Sequence, residues 1–291
     1  MMRHIAFIGF GEAGGILASE LAAQHQVVIW DSKLGGGERE AMLAKADKAG
    51  VQVADSLAQA LDGAAWVFST VTAGSALEVA QQSAALMQAG QYFLDLNSVA
   101  PDTKRQAAQA FSPGVYVDVA VMAPVPPVRM KTPLLVGGPQ AESVTDVLNQ
   151  LGFNARFGSL VVGKVSAIKM CRSVMIKGLE ALTTECLFAA REYGVEEDVL
   201  ASLHASFPSL GWDGAFPGYL ISRVAEHGIR RSEEMEEVVK TLRDAGGEGM
   251  MSQSTARVQR HLPQQMRGLG LDYAGLQPFS WQSLADTLKG R

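Results

Sequence analysis

Two short stretches of this 291-residue chain carry residue types and spacings that could do chemistry. Near the start, IAFIGFGEAGGILASELA sets Gly9, Gly11 and Gly14 in Gly-x-Gly-x-x-Gly spacing between an apolar run and a helical one. Such a loop can cradle a pyrophosphate. Gly9 permits the tight turn, Gly11 lets the backbone approach the phosphates, and Gly14 lets the helix pack on the strand. The amides around Phe10, Glu12 and Ala13, with the positive end of the helix dipole, would face the anion. The second stretch, GKVSAIKMCRSVMIKG, poses a puzzle. Val165, Ile168, Met175, Ile176 and Leu179 recur with the spacing of a buried helical stripe, yet Lys169 and Arg172 fall inside it. A buried lysine beside another cation loses its preference for the charged form and becomes able to accept a proton. The ordinary alternative is a stem packed in the core with its ammonium reaching water.

The elements that would position these residues can be read from the patterning. Strands are expected at His4–Phe10, Gln26–Trp30, Val51–Ala54, Ala65–Val71, Tyr92–Leu96, Val115–Val121, Leu134–Val136 and Asn154–Phe157, alternating with Ala-rich helical stretches. That alternation implies βαβ units on a mainly parallel sheet. From Gly163 onward helical periodicity takes over, with a long helix to near Tyr193 and others over 196–206, 214–227, 232–245 and 249–262. The expected fold is α/β: an N-terminal Rossmann-like doubly wound sheet over 1–162, then an all-α C-terminal domain over 163–291, joined by the long helix. Asp31, at the end of the second strand and 17 residues after Gly14, is placed to accept hydrogen bonds from ribose hydroxyls and to repel a 2′-phosphate. Lys33 nearby blurs that preference. NAD(H) is therefore the favoured cofactor and NADP(H) the alternative. Val71 and Thr72 fall at the carboxyl edge of the sheet, where dinucleotides lie, although Thr is also simply common in strands.

Composition narrows the classes. Apolar residues make up 47% and charged residues 19%, a globular balance, and the net charge of -5 leaves no basic tract for nucleic acid. No run of 18 apolar residues offers a membrane span. The opening residues lack a signal-peptide pattern, so a cytoplasmic location is expected. The two cysteines, Cys171 and Cys186, would lie roughly 22 Å apart on one helix, too far to pair. The five histidines are scattered and no metal site is expected.

Further segments fall in a recognisable order: LDLNSVAPDTKRQ, VDVAVMAPVPP, LLVGG and GKVSAIKMCRSV. With the N-terminal GFGEAGG, this series resembles the β-hydroxyacid dehydrogenases, the family of 3-hydroxyisobutyrate and 6-phosphogluconate dehydrogenases. The resemblance spans about 190 residues; beyond residue 195 it is closer to a branch with a less-characterised helical C-terminal domain. It implies an NAD(P)-dependent dehydrogenase of a β-hydroxyacid or related hydroxy compound. The family's general acid/base lysine matches Lys169. The serine that hydrogen-bonds substrate near its carboxylate matches Ser98, which could equally be a turn residue before a helix. Lys240 falls where relatives often carry a cofactor-facing Lys-Asp pair, but Thr241 follows it and surface helix charge is an equal reading. A homodimer through the helical domain is implied as well.

Departures put the substrate in doubt. Where relatives carry a Gly-Gly pair that offers amides to substrate, this chain reads Met122-Ala123-Pro124, and proline has no N–H. The asparagine four residues beyond the lysine is Ser173 here. Carboxylate recognition could then fall to Arg172, whose guanidinium suits a bidentate grip. Two rivals follow: reduction of an imine or ketone without a carboxylate, and a nicotinamide-binding sensor without turnover. The cluster Phe207, Trp212, Phe216 and Tyr219 reads as packing before it reads as a substrate wall.

Overall fold

All eight expected strands form, because each is a short apolar run punctuated by turn residues. The computed structural model describes residues 3–112 and 114–290. The chain divides into two compact units, one ending at Met170 and the other beginning at Cys171.

The first unit runs β1 (His4–Ile8), α1 (Glu12–Ala22), β2 (Gln26–Trp30), α2 (Arg39–Ala49), β3 (Gln52–Val53), α3 (Leu57–Leu61), β4 (Trp66–Ser69), α4 (Ala76–Ala84), β5 (Tyr92–Asp95), α5 (Pro101–Gln109), β6 (Val115–Val121), α6 (Val125–Val128), β7 (Pro133–Gly137), α7 (Ala141–Gln150) and β8 (Asn154–Ser159). The sheet order is β3-β2-β1-β4-β5-β6-β7-β8. Every pairing is parallel except β6 with β7. The central strands β1, β4, β5 and β6 are buried on both faces and are nearly continuous apolar runs, whereas the edge strands β3 and β8 are partly exposed and more polar. Ile5, Phe7, Ile29 and Leu94 join one core cluster; Ala6, Ile8, Val28 and Phe93 join the other. Asp95 and Asp118 interrupt this apolar run as directly paired residues of β5 and β6.

α8 (Lys164–Tyr193) starts in the first unit and continues into the second. Its first turn packs on the sheet through Val165, which is fully buried; a Cβ on Gly158 would come within 2.4 Å of it. The expected apolar stripe beyond Val165 is not the buried one. Ile168, Met175 and Ile176 are exposed, Met175 by 73%, whereas Ser166, Met170, Ser173, Lys177, Glu180 and Thr184 are buried. Arg172 is exposed and Lys169 half-buried. The inward line of α8 is largely polar because hydrogen bonds and ion pairs satisfy it, a situation that apolar periodicity does not register.

The second unit continues with α9 (Glu196–Ser206), α10 (Phe216–Asp244), α11 (Met250–Gly268) and α12 (Trp281–Leu288) around a core of Leu187, Ile221, Val224, Leu262, Met266 and Trp281. Two helices expected at 214–227 and 232–245 are one. Gly228 is no break: it admits the Gln259 carbonyl, which a Cβ would meet at 2.1 Å, so α10 and α11 approach closely there. The last helix, α12, was not expected; Ser280 caps it by accepting from the Ser283 amide. Trp212 is buried edge-on against Phe216, while Phe207 and Tyr219 are exposed. Both cysteines are free. Among the described residues no helix is long and apolar enough to cross a membrane.

Candidate functional site

The glycine loop joins β1 to α1 and is shaped by close contacts. Gly9 has φ +92, and a Cβ there would sit 2.7 Å from the Thr70 carbonyl oxygen. A Cβ on Gly14 would lie 2.4 Å from both the Gly9 oxygen and Thr70 Oγ1, so α1 rests directly on the loop and on the end of β4. Thr70 Oγ1 donates to the Gly9 carbonyl at 2.7 Å, and Val71 packs over Gly9. Gly11 differs: among the described residues nothing lies within 4 Å of where its Cβ would be. It is the N-cap of α1 and supplies no side-chain bond to the first amides of that helix. Glu12 and Gly11 are exposed and Ala13 is half-buried, while Phe10 is fully buried beneath the loop. A bare backbone with uncapped helix amides fits a dinucleotide phosphate.

Asp31 ties this loop to β2. Its Oδ2 accepts from the Phe10 amide at 2.7 Å and its Oδ1 from the Lys33 amide at 3.0 Å. A carboxylate has about four acceptor sites, so capacity for ribose hydroxyls is left. Lys45, on α2, was missed in the sequence. Its ammonium donates to the Phe10 carbonyl at 2.5 Å and the Gly11 carbonyl at 2.7 Å, and lies 4.6 Å from the centre of the Phe10 ring. Partial burial lowers its pKa, an effect the nearby Asp31 charge opposes. No local motif announces it, since 35 residues separate it from Phe10. Thr72 is exposed and opens the short turn before α4, its carbonyl accepting from the Ser75 amide.

A second group of residues gathers at the carboxyl end of β5. Lys169 donates to Ser98 Oγ at 2.5 Å, bringing together two residues 71 positions apart. Beside Ser98, Asn97 is buried; its Nδ2 donates to Ser69 Oγ at 2.9 Å, and its Oδ1 has no partner among the described residues. An orphaned buried acceptor at this sheet edge also fits a ligand donor.

Beneath Ser98 lies an ion cluster that the sequence did not announce. Lys104 of α5 has no exposed surface; its ammonium is 2.9 Å from Asp95 Oδ1 and 3.5 Å from Asp118 Oδ1, and it donates to the Asp95 carbonyl at 2.6 Å. Asp95 also accepts from the Tyr116 hydroxyl at 2.7 Å and the Asn97 amide at 2.9 Å. Burial, then the charges of Asp95 and Asp118, push the Tyr116 pKa well above its ordinary value, so it remains a donor. Asp118 accepts from the Gly163 amide at 2.9 Å and from Ser166 Oγ at 2.7 Å. The available signal was an acid inside each of two apolar strands, YFLD and VYVDVAV.

The remaining expected residues are placed as follows. The Met122 amide donates to the Pro133 carbonyl at 2.9 Å, continuing the β6–β7 ladder. In the helical unit, Ser173 is buried and accepts from Lys177 at 3.3 Å. Arg172 is exposed on α8. Lys240 lines an open groove of about 1230 Å³ together with Tyr193, Arg243, Arg257 and Lys289; neither the glycine loop nor Ser98 lines that groove.

Residues 4–162 match the family described as NAD binding domain of 6-phosphogluconate dehydrogenase, and residues 190–262 match a domain of unknown function, DUF1932. A 3-hydroxyisobutyrate dehydrogenase of Pseudomonas aeruginosa is 30% identical over 243 residues, 78% of this chain and 78% of its own. An uncharacterized 28.5 kDa protein of Methanothermus fervidus is 26% identical over 262 residues, 89% of this chain and 98% of its own. The solved structure of a conserved hypothetical protein from Sinorhizobium meliloti is 37% identical, with a TM-score of 0.74 over 99% of this chain and 97% of that one.

Proposed function

The chain belongs to the β-hydroxyacid dehydrogenase family, and from that membership we propose that it transfers hydride between a nicotinamide cofactor and a β-hydroxyacid or related hydroxy compound. The observation that carries this reading is the Lys169–Ser98 hydrogen bond at the carboxyl end of β5. In open α/β sheets ligands bind outside the carboxyl ends of the strands.

The glycine loop from Gly9 to Gly14 and the first amides of α1 would hold the cofactor phosphates, and Asp31 the adenosine ribose, which favours NAD(H) over NADP(H). The nicotinamide, when bound, supplies the hydride acceptor or donor. The protein's own part is the proton. Lys169 Nζ, as the neutral amine, takes the proton from the substrate hydroxyl as the carbonyl forms, and as the ammonium returns it in the reverse direction. Ser98 Oγ, already in contact with that nitrogen, orients it and donates to the substrate. Arg172, Ser173 and Met122 complete substrate binding in this reading, and Lys240 assists the cofactor. A second reading, reduction of an imine or ketone lacking a carboxylate, draws on one observation. The Met122 amide is committed to the sheet and Pro124 has none, so the loop after β6 offers few donors to a carboxylate.

Absorbance assays with NAD and with NADP, over hydroxyacids, aromatic 3-hydroxy compounds and simple alcohols, test the proposal. Lys169→Ala is expected to lower kcat by on the order of 10³-fold or more, with cofactor affinity unchanged. Near-normal turnover in that variant would remove Lys169 from the mechanism. We also assign a homodimer built through the helical unit. Met175, Leu182, Met250 and Met251 are each more than half exposed there, and a second copy would cover such apolar side chains. Light scattering should give twice the chain mass; a monomer would refute it. A cytoplasmic setting belongs to the same reading, since two free thiols persist in a reducing compartment.

A further inference from the structure

Two like charges placed directly across neighbouring strands repel each other. Asp95 and Asp118 are such a pair, and both are buried, by 99% and fully. Lys104 supplies a cation within 4 Å of both. A neutral core of the same shape would avoid the cost of removing these three charges from water. What the ions add is directional bonding, and the ends of those bonds are informative.

One end is the Asn97 amide, which Asp95 holds at 2.9 Å, immediately before Ser98. The other end is Gly163 and Ser166, which Asp118 holds at 2.9 and 2.7 Å where α8 begins. Ser166 precedes Lys169 by three residues, so the two side chains leave neighbouring points on the helix surface. The start of α8 is also pressed against the start of α5, because a Cβ on Gly163 would come within 2.9 Å of the Pro101 carbonyl. The loop that carries Ser98 and the turn that carries Lys169 thus hang from one buried cluster.

We propose that the Asp95–Lys104–Asp118 cluster, with Ser166 as its outlet on α8, is the positioning element that sets the Ser98–Lys169 contact. The proposal rests on the reading of Lys169 as the proton-transfer residue. None of the cluster touches substrate; it acts by fixing two elements in one register, so that hydroxyl and ammonium meet at hydrogen-bond distance without adjustment during the reaction.

The test reads Lys169 directly and needs no turnover. The full chain would be treated with an amine-acetylating reagent at one fixed pH, and modification of Lys169 followed by peptide mass spectrometry. Ser98→Ala removes the contact itself; Ser166→Ala and Tyr116→Phe each remove one neutral donor from the cluster and leave its charges intact. Lost hydrogen bonds to charged groups correspond to roughly a tenfold change, so Lys169 is expected to acetylate about tenfold faster in Ser98→Ala and Ser166→Ala, and a few-fold faster in Tyr116→Phe. NADH affinity, measured by fluorescence, should remain that of wild type in Ser166→Ala. A merely structural cluster would lower Tm in Ser166→Ala and leave Lys169 acetylation at the wild-type rate, which overturns the proposal. Unchanged acetylation in Ser98→Ala overturns it too, because there would be no contact to position. Loss of turnover in Lys169→Ala is a separate result, so failure of the positioning role and failure of the proposed chemistry remain distinguishable.

Discussion

In the sheet unit the buried cation Lys104 sits between Asp95 and Asp118, and in the helical unit Arg231 faces Glu180, but the two arrangements end on different partners. The sheet cluster ends largely on main chain: the Asp95 carbonyl and the Asn97 and Gly163 amides. The helical cluster ends mostly on side chains. Arg231 of α10 donates to both Glu180 oxygens at 2.7 Å, Gln259 of α11 donates to Glu180 at 3.0 Å, and Lys177 of α8 pairs with Glu234 of α10 at 2.9 Å. Burial raises the Glu180 pKa even against the pull of Arg231, and burial lowers that of Arg231 even against Glu180. Burial is the leading cause of the shift in both partners. The helical ions cross-link three helices and fix their alignment. The sheet ions hold backbone, and the backbone they hold carries two residues of the candidate site. Ion clusters in one chain can thus serve alignment in one place and site geometry in another.

The largest expected effect breaks the sheet cluster. Lys104→Met leaves two facing carboxylates without their cation and should cost about 3–5 kcal/mol in urea unfolding. A stability near wild type would erase the distinction drawn between the clusters. A smaller effect sharpens it. Arg231→Met alone strands Glu180, but adding Glu180→Leu should recover most of the loss, because an apolar pair of similar volume does not have to be desolvated. If the double variant is as unstable as the single one, the helical ions stabilise the fold after all. The smallest effect is a slope. Glu180 holds its proton more tightly folded than unfolded, so its contribution is fully present below the ordinary 4.5 and is lost as pH rises through the raised folded value. Glu180→Gln should flatten that decline in a series of melts from pH 4 upward.

These differences also mark how far the sequence could be read. The strands were legible because β1, β2 and their successors are brief apolar runs broken by glycine, a local signal. The glycine loop was legible for the same reason: its three glycines and its helix lie within residues 9–22. Pairings between distant positions were not. Nothing near Asp118 points to Lys104, and nothing near Phe10 points to Lys45, because sheet order decides those meetings. Ser98, also distant, was singled out by family resemblance; Lys169 stood out as a cation inside an apolar helical stripe, and the resemblance supplied its role. The inward line of α8 was misread for another reason. Apolar spacing selected Ile168, Met175 and Ile176, whereas the buried positions Ser166, Ser173, Lys177 and Glu180 are polar and satisfied by partners on other elements or, for Ser173, by Lys177 one turn along the helix. The break expected between 227 and 232 is absent, and Gly228 there lets α10 approach the Gln259 carbonyl of α11 closely.

Asp31 gives one oxygen to the Phe10 amide and the other to that of Lys33. An engineer who exchanges it for a small neutral residue, hoping to admit a phosphorylated ribose, also unties the glycine loop from β2. If Asp31 sets coenzyme choice as proposed, that choice and the stiffness of the loop are inherited together. A switch would then have to bring a new acceptor for the Phe10 amide along with its new cation.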